Sequence, residues 1–314
     1  MDLNSFRFNS HFLHSAYPIC YTGGMQKTLD DIIIITDLAI QEDIGTGDIT
    51  SELTIHPEQE SSGQIIAKED GVISGLFVVE YMLKHHTSIS YTIYKQDGES
   101  VTKGDTVLSI NGRTIEILSY ERIMLNFLQH LSGIATKTHR FVEMVEACGC
   151  EILDTRKTLP GMRKLEKKAV IDGGGCNHRM GLSDAILIKE NHIQAAGSIS
   201  AAVKKIKSSN KYPILQKQDN FFILVETETI DEVEEACETG VDGILLDNMD
   251  ESLLTLSINT IRQMAPNIFI EVSGNVSLDT IANIAQHKPD RISVGSITHS
   301  APALDFSLLI NKDN

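Results

Sequence analysis

The chain has 314 residues, enough for one large domain or two smaller ones with real cores. Its 41% hydrophobic and 22% charged content is that of an ordinary globular protein, and the formal net charge of −16 argues against a basic face for nucleic acid or acidic membrane. The five cysteines (Cys20, Cys148, Cys150, Cys176, Cys237) are odd in number and form no Cys-x-x-Cys pair. Neither a disulfide framework nor a zinc site is expected, and the compartment they fit is a reducing cytoplasm.

Residues 1–24 contain one Arg, no Lys and no compact apolar block, which makes a poor signal peptide. They read as a disordered or extraneous extension ahead of Met25. The apolar spacing of "KTLDDIIIITDLAIQ" predicts a helix over 27–41, with Asp37 interrupting the run far short of a membrane span, and "EDIGTGDIT" ends it. Strands follow in "SGQIIAKEDG", "SISYTIYK" and "DTVLSING", with a helix in "GLFVVEYMLKHH" between the first two. The segment "DGESVTKGDTVLSI" is similar to the turn of a biotinyl-carrier domain, but the central Lys with Met neighbours is absent. From Ile115 to Ala147 the pattern is helical and is read as two helices divided near Ser132-Gly133.

From residue 150 short apolar runs alternate with helix-length segments: "EILDT", "AILIK", "FFILVE", "GILLD", "IFIEVS" and "RISVG". This is the grammar of βα units around a parallel sheet. Each run ends on something polar or small: Asp154-Thr155-Arg156, Lys189-Glu190-Asn191-His192, Glu226, Asp247-Asn248, Ser273-Gly274 and Gly295-Ser296. A doubly wound sheet gathers such residues at one switch point, whereas a barrel gathers the ends of every strand at one mouth. The barrel is therefore favoured, with its mouth as the site.

Residues 151–192 hold eight Lys or Arg against six acids, a balance of +2, so the remainder of the chain carries −18. A positive island in an acidic protein suits a strongly anionic small ligand. Arg156, Lys157, Arg179 and Lys189 lie at strand ends or in a glycine loop, where a guanidinium fork can grip a carboxylate. Arg163, Lys164, Lys167 and Lys168 read as the solvated face of a helix. Gly173–Gly175 read as a tight turn that aims His178 and Arg179, and not as core packing. Cys176 and His178 lack a second ligand pair for a metal. Lys189 taken alone also fits a Schiff-base lysine, a reading that the surrounding arginines oppose.

The stretch "DTRKTLPGMRKLEKKAVIDGGGCNHRMGLSDAILIKENHI" resembles the central signature of the quinolinate phosphoribosyltransferase family, the carboxylating nicotinate-nucleotide pyrophosphorylases. "EDIGTGDITSELTI", "ERIMLNFLQHLSGIAT", "LLDN", "EVSGNVS" and "VGSITHS" resemble its other motifs in the same order. The resemblance covers roughly residues 27–310. It implies an α/β protein: an N-terminal α/β sandwich over 25–136, an incomplete parallel (β/α) barrel over 137–301, and a tail at 302–314 that packs back on the sandwich. It implies a homodimer, or a hexamer, in which each barrel mouth is closed by the partner. The implied reaction joins quinolinate to 5-phosphoribosyl 1-pyrophosphate and yields nicotinate mononucleotide, pyrophosphate and carbon dioxide, a step of NAD biosynthesis.

By the same resemblance, Arg156, His178, Arg179 and Lys189 hold the quinolinate carboxylates, Lys157 lies near both substrates, and Arg122 reaches in from the other subunit. Glu226 and Asp247 serve the ribose hydroxyls and magnesium, and Ser273, Gly274, Asn275, Gly295 and Ser296 present N–H groups to the 5-phosphate. Alternatives stay open at two of these positions: Asp247 as a helix N-cap, and Glu228 in place of Glu226. The chain departs from the family at Leu159, where a Thr is usual, and in "KSSNKYPILQKQDNFF", read as an enlarged surface loop. Rival functions are ModD, the related protein of a molybdenum locus, whose branch lacks the pattern seen here as Lys189-Glu190-Asn191-His192, and a non-catalytic binder of anions, which the intact Glu226 and Asp247 disfavour.

Overall fold

A computed structural model of the chain describes residues 25–218 and 221–311, so the extension at 1–24 lies outside the described residues. The first half contains α1 (Met25–Asp43), α2 (Ile49–Thr54), β1 (Glu60–Ala67), β2 (Gly71–Val72), α3 (Leu76–His86), β3 (Ser90–Ile93), β4 (Ser100–Val101), β5 (Thr106–Arg113) and α4 (Thr114–Val145). The second runs through β6 (Glu151–Leu153), α5 (Arg163–Asp172), β7 (Ile186–Ile188), α6 (Glu190–Ala196), α7 (Ile199–Lys207), α8 (Tyr212–Leu215), β8 (Ile223–Thr227) and α9 (Ile230–Glu238). It continues with β9 (Gly243–Asp247), α10 (Glu251–Met264), β10 (Phe269–Ser273), α11 (Ile281–Gln286), β11 (Arg291–Ser293), α12 (Ser296–His299) and β12 (Phe306–Ile310).

Strands β12-β1-β5-β3 form an antiparallel sheet, so the last strand of the chain pairs with the first, Ile65 opposite Leu308. Alternation along β1 buries Ile65 and Ala67 and leaves Glu60 and Gln64 in solvent, the signature of a sheet with one dry face. The expected break near Ser132-Gly133 does not occur: α4 is one helix of 32 residues. Gly133 is there for a different reason. A Cβ at this position would stand 2.1 Å from the Pro302 carbonyl oxygen, so glycine admits the returning tail across the helix, and Leu304 N–H then bonds Gln129 O at 3.0 Å.

The second sheet is parallel in the order β6-β11-β10-β9-β8-β7. β6 and β7 are not paired with each other, so the barrel is incomplete, and a single bridge from Leu153 to Cys176 extends the β6 edge. Period-two alternation sorts its side chains. Ile223, Val225, Ile244, Leu246, Ile270 and Val272 face outward into a core shared with α7, α9 and α10. Phe222, Leu224, Leu245 and Phe269 pack together on the inward side, where the Phe269 ring occupies the space a side chain at Gly243 would need. The inward register continues to the strand ends, and there the apolar residues give way to Glu226, Asp247 and Ser273.

Two expectations for residues 163–175 fail. Arg163, Lys164 and Lys168 are only half-buried, but Lys167 is fully buried, ion-paired with Asp154 and donating to His178 O at 2.9 Å. The strand-end carboxylate draws this lysine inward, against a helical pattern that reads as polar. The glycines do pack. A Cβ at Gly173 would lie 2.3 Å from Ala135 O, and one at Gly175 would lie 2.7 Å from Thr138 Cγ2, so they let the end of α5 seat directly on α4. Only Gly174 needs its left-handed φ of 86°. The stretch expected as a surface loop carries α8, with residues 219–220 outside the described residues.

Candidate active site

At the carboxyl ends of the barrel strands lies a cavity of about 800 Å³. Twelve of the thirteen residues singled out in the sequence line it: Arg156, Lys157, His178, Arg179, Lys189, Glu226, Asp247, Ser273, Gly274, Asn275, Gly295 and Ser296. The thirteenth, Arg122, is exposed on α4 and is not among the lining residues. Leu159 is also outside the lining and half exposed, so its missing hydroxyl does not subtract from this cavity.

The cationic wall is short of counter-charge. Arg179 is buried to 7% exposure, yet its guanidinium meets one carbonyl, Ala185 O at 3.0 Å. Among the described residues neither Arg156 nor Arg179 has a carboxylate within 4.0 Å. Burial first, and the neighbouring Arg156 charge second, lower the affinity of Arg179 for its proton. The Asp184 charge opposes these two effects without an ion pair. A buried guanidinium beside an exposed one, with no carboxylate within 4.0 Å among the described residues, forms a site for an anion. Lys189 differs: its ammonium is ion-paired with Glu226 on the neighbouring strand.

The acidic side is held by neighbours. Asp247 accepts from Ser273 Oγ at 2.5 Å and Asn248 Nδ2 at 2.7 Å. It does not cap the next helix; Asp250 does so, accepting from Leu253 N at 2.9 Å. Glu228 is exposed, and its N–H turns to Glu232, so Glu226 is the glutamate of this strand that lines the cavity. Across the mouth, Gly274 has a φ of 92°, and a Cβ there would stand 2.2 Å from Asn248 Oδ1. At Gly295 a Cβ would approach Lys157 Cδ at 3.2 Å and His299 Nε2 at 3.3 Å, so the missing side chain leaves these two groups room at the cavity.

Several lining or supporting residues escaped the sequence reading. Glu271 and Ser293 form the floor, with Ser293 Oγ donating to Glu271 and His178 Nε2 3.3 Å from the same carboxylate. An acid in the middle of the apolar run "IFIEVS", two residues before Ser273 and so on the same face, was a legible signal for Glu271. Behind the wall, Asp154 takes the His178 N–H at 2.9 Å and pairs with Lys167. Burial pushes the Asp154 carboxyl up to about 6 against the pull of the Lys167 charge.

Comparison with known proteins agrees over most of the chain. Family models described as quinolinate phosphoribosyl transferase, N-terminal domain, and quinolinate phosphoribosyl transferase, C-terminal domain, match residues 48–132 and 134–309. The chain is 39% identical over 298 residues to the chloroplastic carboxylating nicotinate-nucleotide pyrophosphorylase of Arabidopsis thaliana, covering 90% of this chain and 84% of the relative. It is 38% identical over 275 residues to the probable carboxylating nicotinate-nucleotide pyrophosphorylase of Bacillus subtilis, covering 87% and 91%. The solved nicotinate-nucleotide pyrophosphorylase of Francisella tularensis superposes with a TM-score of 0.83 at 35% identity, over 90% of this chain and 96% of that one. With family models over both its halves and relatives of 38–39% identity over most of its length, the chain belongs to the quinolinate phosphoribosyltransferase family.

Proposed function

We propose that this cavity joins quinolinate to 5-phosphoribosyl 1-pyrophosphate and releases pyrophosphate and carbon dioxide, giving nicotinate mononucleotide for NAD synthesis. The observation that carries the reading is the pair of neighbouring guanidiniums at the cavity, Arg179 buried and Arg156 exposed, without an acid within 4.0 Å among the described residues. Two adjacent carboxylates on a flat ring supply the missing charge, with Lys157 and Lys189 closing the clamp and His178 adding an N–H donor. When the ligand arrives, Lys189 exchanges Glu226 for a substrate carboxylate, which releases Glu226 for the ribose hydroxyls. Glu226 and Asp247 then flank an anomeric carbon that gains positive charge as pyrophosphate leaves, and fixed carboxylates stabilise such charge.

The ring nitrogen attacks that carbon while its neighbouring carboxylate is held. The positive ring nitrogen then stabilises the electron pair that departing carbon dioxide leaves on the adjacent ring carbon, and a proton takes that pair in place of the carboxylate. The Gly274-Asn275 turn and Gly295-Ser296 offer N–H groups to the 5-phosphate. Two carboxylates with hydroxyl and amide neighbours are an all-oxygen donor set that suits magnesium. Among the described residues no cluster of three His, Cys, Asp or Glu offers a cage, so the ion fits as one carried in by the donor's phosphates, whose charge it screens.

Arg122 fits a role in trans in a dimer, since it stands apart from its own cavity. The apolar groove of about 460 Å³ lined by Ile35, Leu38, Ala39, Phe127 and Met162 supports a subunit contact. The cytoplasm remains the proposed compartment on cysteine usage; no helix among the described residues is long and apolar enough to cross a membrane. The deciding experiment incubates the protein with carboxyl-labelled quinolinate and magnesium, with and without the phosphoribosyl donor. Labelled carbon dioxide is expected only with donor, and nicotinic acid is expected to be a poor substrate because it leaves part of the clamp unpaired. Donor-independent release, or equal turnover of nicotinic acid, would contradict the assignment.

A further inference from the structure

Three of the four polar atoms of His178 are hydrogen-bonded. Its backbone N–H donates to Asp154 Oδ1 at 2.9 Å, and its carbonyl accepts from Lys167 Nζ at 2.9 Å. Within the ring, Nδ1 accepts the Arg179 backbone N–H at 2.7 Å. That hydrogen belongs to the amide and its direction is set by the main chain, so Nδ1 presents a lone pair and carries no proton. The ring proton therefore sits on Nε2, whose neighbour is Glu271 Oε1 at 3.3 Å.

Glu271 is fully buried in the middle of β10. Burial raises its carboxyl, while the Ser293 hydroxyl and the Arg291 charge favour the ionised form. Oε1 receives Ser293 Oγ–H and faces His178, while Oε2 is buried without a hydrogen-bond partner among the described residues. A buried carboxylate left half unpaired costs stability, and an apolar side chain of similar volume often serves a fold as well or better. The charge is explained by what it does to the histidine.

We propose that Glu271 is a positioning residue that fixes His178 as the Nε2–H tautomer, so that the floor of the cavity offers the pyridine dicarboxylate a single neutral donor beside the Arg179 clamp. The proposal rests on the reading of this cavity as the quinolinate site. A ring free to flip would turn a bare lone pair towards a substrate carboxylate and would release the Arg179 amide, whose side chain lines the same cavity. The long Nε2–Glu271 contact leaves that proton available for sharing with a ligand oxygen. His178 then contributes direction to recognition, and the guanidiniums contribute charge.

The test begins with long-range 1H–15N spectra of histidine-labelled protein, His178 being assigned by its loss in His178→Asn. The ligand-free protein is expected to show a protonated Nε2 and a bare Nδ1 at His178. Glu271→Leu is expected to give mixed tautomers and to raise the quinolinate KM by at least roughly tenfold, with the donor KM within about twofold, as loss of one charge-assisted bond predicts. Glu271→Gln keeps the shape and an acceptor oxygen, and is expected to restore the tautomer and most of the affinity. If the leucine variant does not fold, the wild-type spectrum and the glutamine variant still decide. A proton on Nδ1 in the wild type, equal rises in both KM values, or a glutamine variant as impaired as the leucine one would overturn the proposal. Should the wild type fail to turn over quinolinate at all, the cavity assignment falls, while the spectra still report whether Glu271 holds His178.

Discussion

The two sheets use the same period-two alternation and reach different ends. In β1 and β5, strands of eight residues each, alternation yields one buried face and one wet face, and the buried side chains are mostly apolar: Ile65, Ala67, Leu108 and Ile110, with Val107 added at a register shift and Ser61 the polar exception. In the barrel the strands have three to five residues and both sides are enclosed. The outward positions meet helices, and the inward ones meet each other until the strands run out. A charge on the first sheet falls in solvent, while a charge at an inward barrel position falls in a shared cavity. Curvature turns the pattern of a wall into the pattern of a site.

If that contrast is sound, charges within the barrel domain should divide into those that hold the wall and those that face the ligand. Lys167 belongs to the first kind, although it stands only two contacts from the cavity. Lys167→Met leaves Asp154 buried without its partner and removes the donor to His178 O. Such a loss destabilises by about 3–5 kcal/mol, the largest effect expected here. Urea denaturation measures it. A double change of Asp154 and Lys167 to apolar residues should recover part of the loss, and a single variant as stable as the wild type would refute the structural role.

Arg179 is the second kind, and it sharpens the division. Arg179→Ala removes a buried charge that has no ion-pair partner within 4.0 Å among the described residues and that feels the like charge of Arg156 more than the opposite charge of Asp184. Affinity for quinolinate should fall by about 2–5 kcal/mol, the range for truncating a buried charged partner. Stability should stay level or rise, because the like-charge contact is relieved. Calorimetry with each substrate separately, beside thermal denaturation, gives both values. A loss of stability without a selective loss of quinolinate would put Arg179 with Lys167.

Much of this division was legible in the sequence and part was not. The barrel and its mouth followed from strand ends, because an apolar run that stops on Asp247 or Ser273 states both where the strand lies and what it presents. Period alone exposed the inward face, so Glu271 was readable and was passed over. Lys167 and Glu166 were not readable: between Leu165 and Ala169 their spacing fits a surface, and only the placement of Asp154 and His130 makes burial affordable. Gly133 and Gly173–Gly175 signalled that something close would happen without naming the partner. Glycine marks a contact whose other side, Pro302 O or Ala135 O, is set by tertiary structure.

Between the two sheets lies a smaller test, at Asp97. Its carboxylate caps α3, accepting from Leu76 N at 2.9 Å and Phe77 N at 3.1 Å. Nearby, Asp172 at the end of α5 accepts from Ser74 Oγ at 2.8 Å and pairs with Lys168, joining the two domains. Burial, and after it the Asp172 charge, push the Asp97 carboxyl up from 3.8 to about 6. A carboxyl raised on folding binds its proton more tightly in the native state, so its contribution is complete below 3.8 and is lost as the pH climbs through about 6. Above that window the ionised pair repels across the domain junction. Asp97→Asn keeps one acceptor for the helix start and removes the repulsion. Its melting temperature relative to the wild type should therefore be higher near about pH 7.5 than near about pH 5, where the wild-type group already carries much of its proton. The same offset at both values would show that the junction does not feel this charge, and that Asp97 acts on α3 alone.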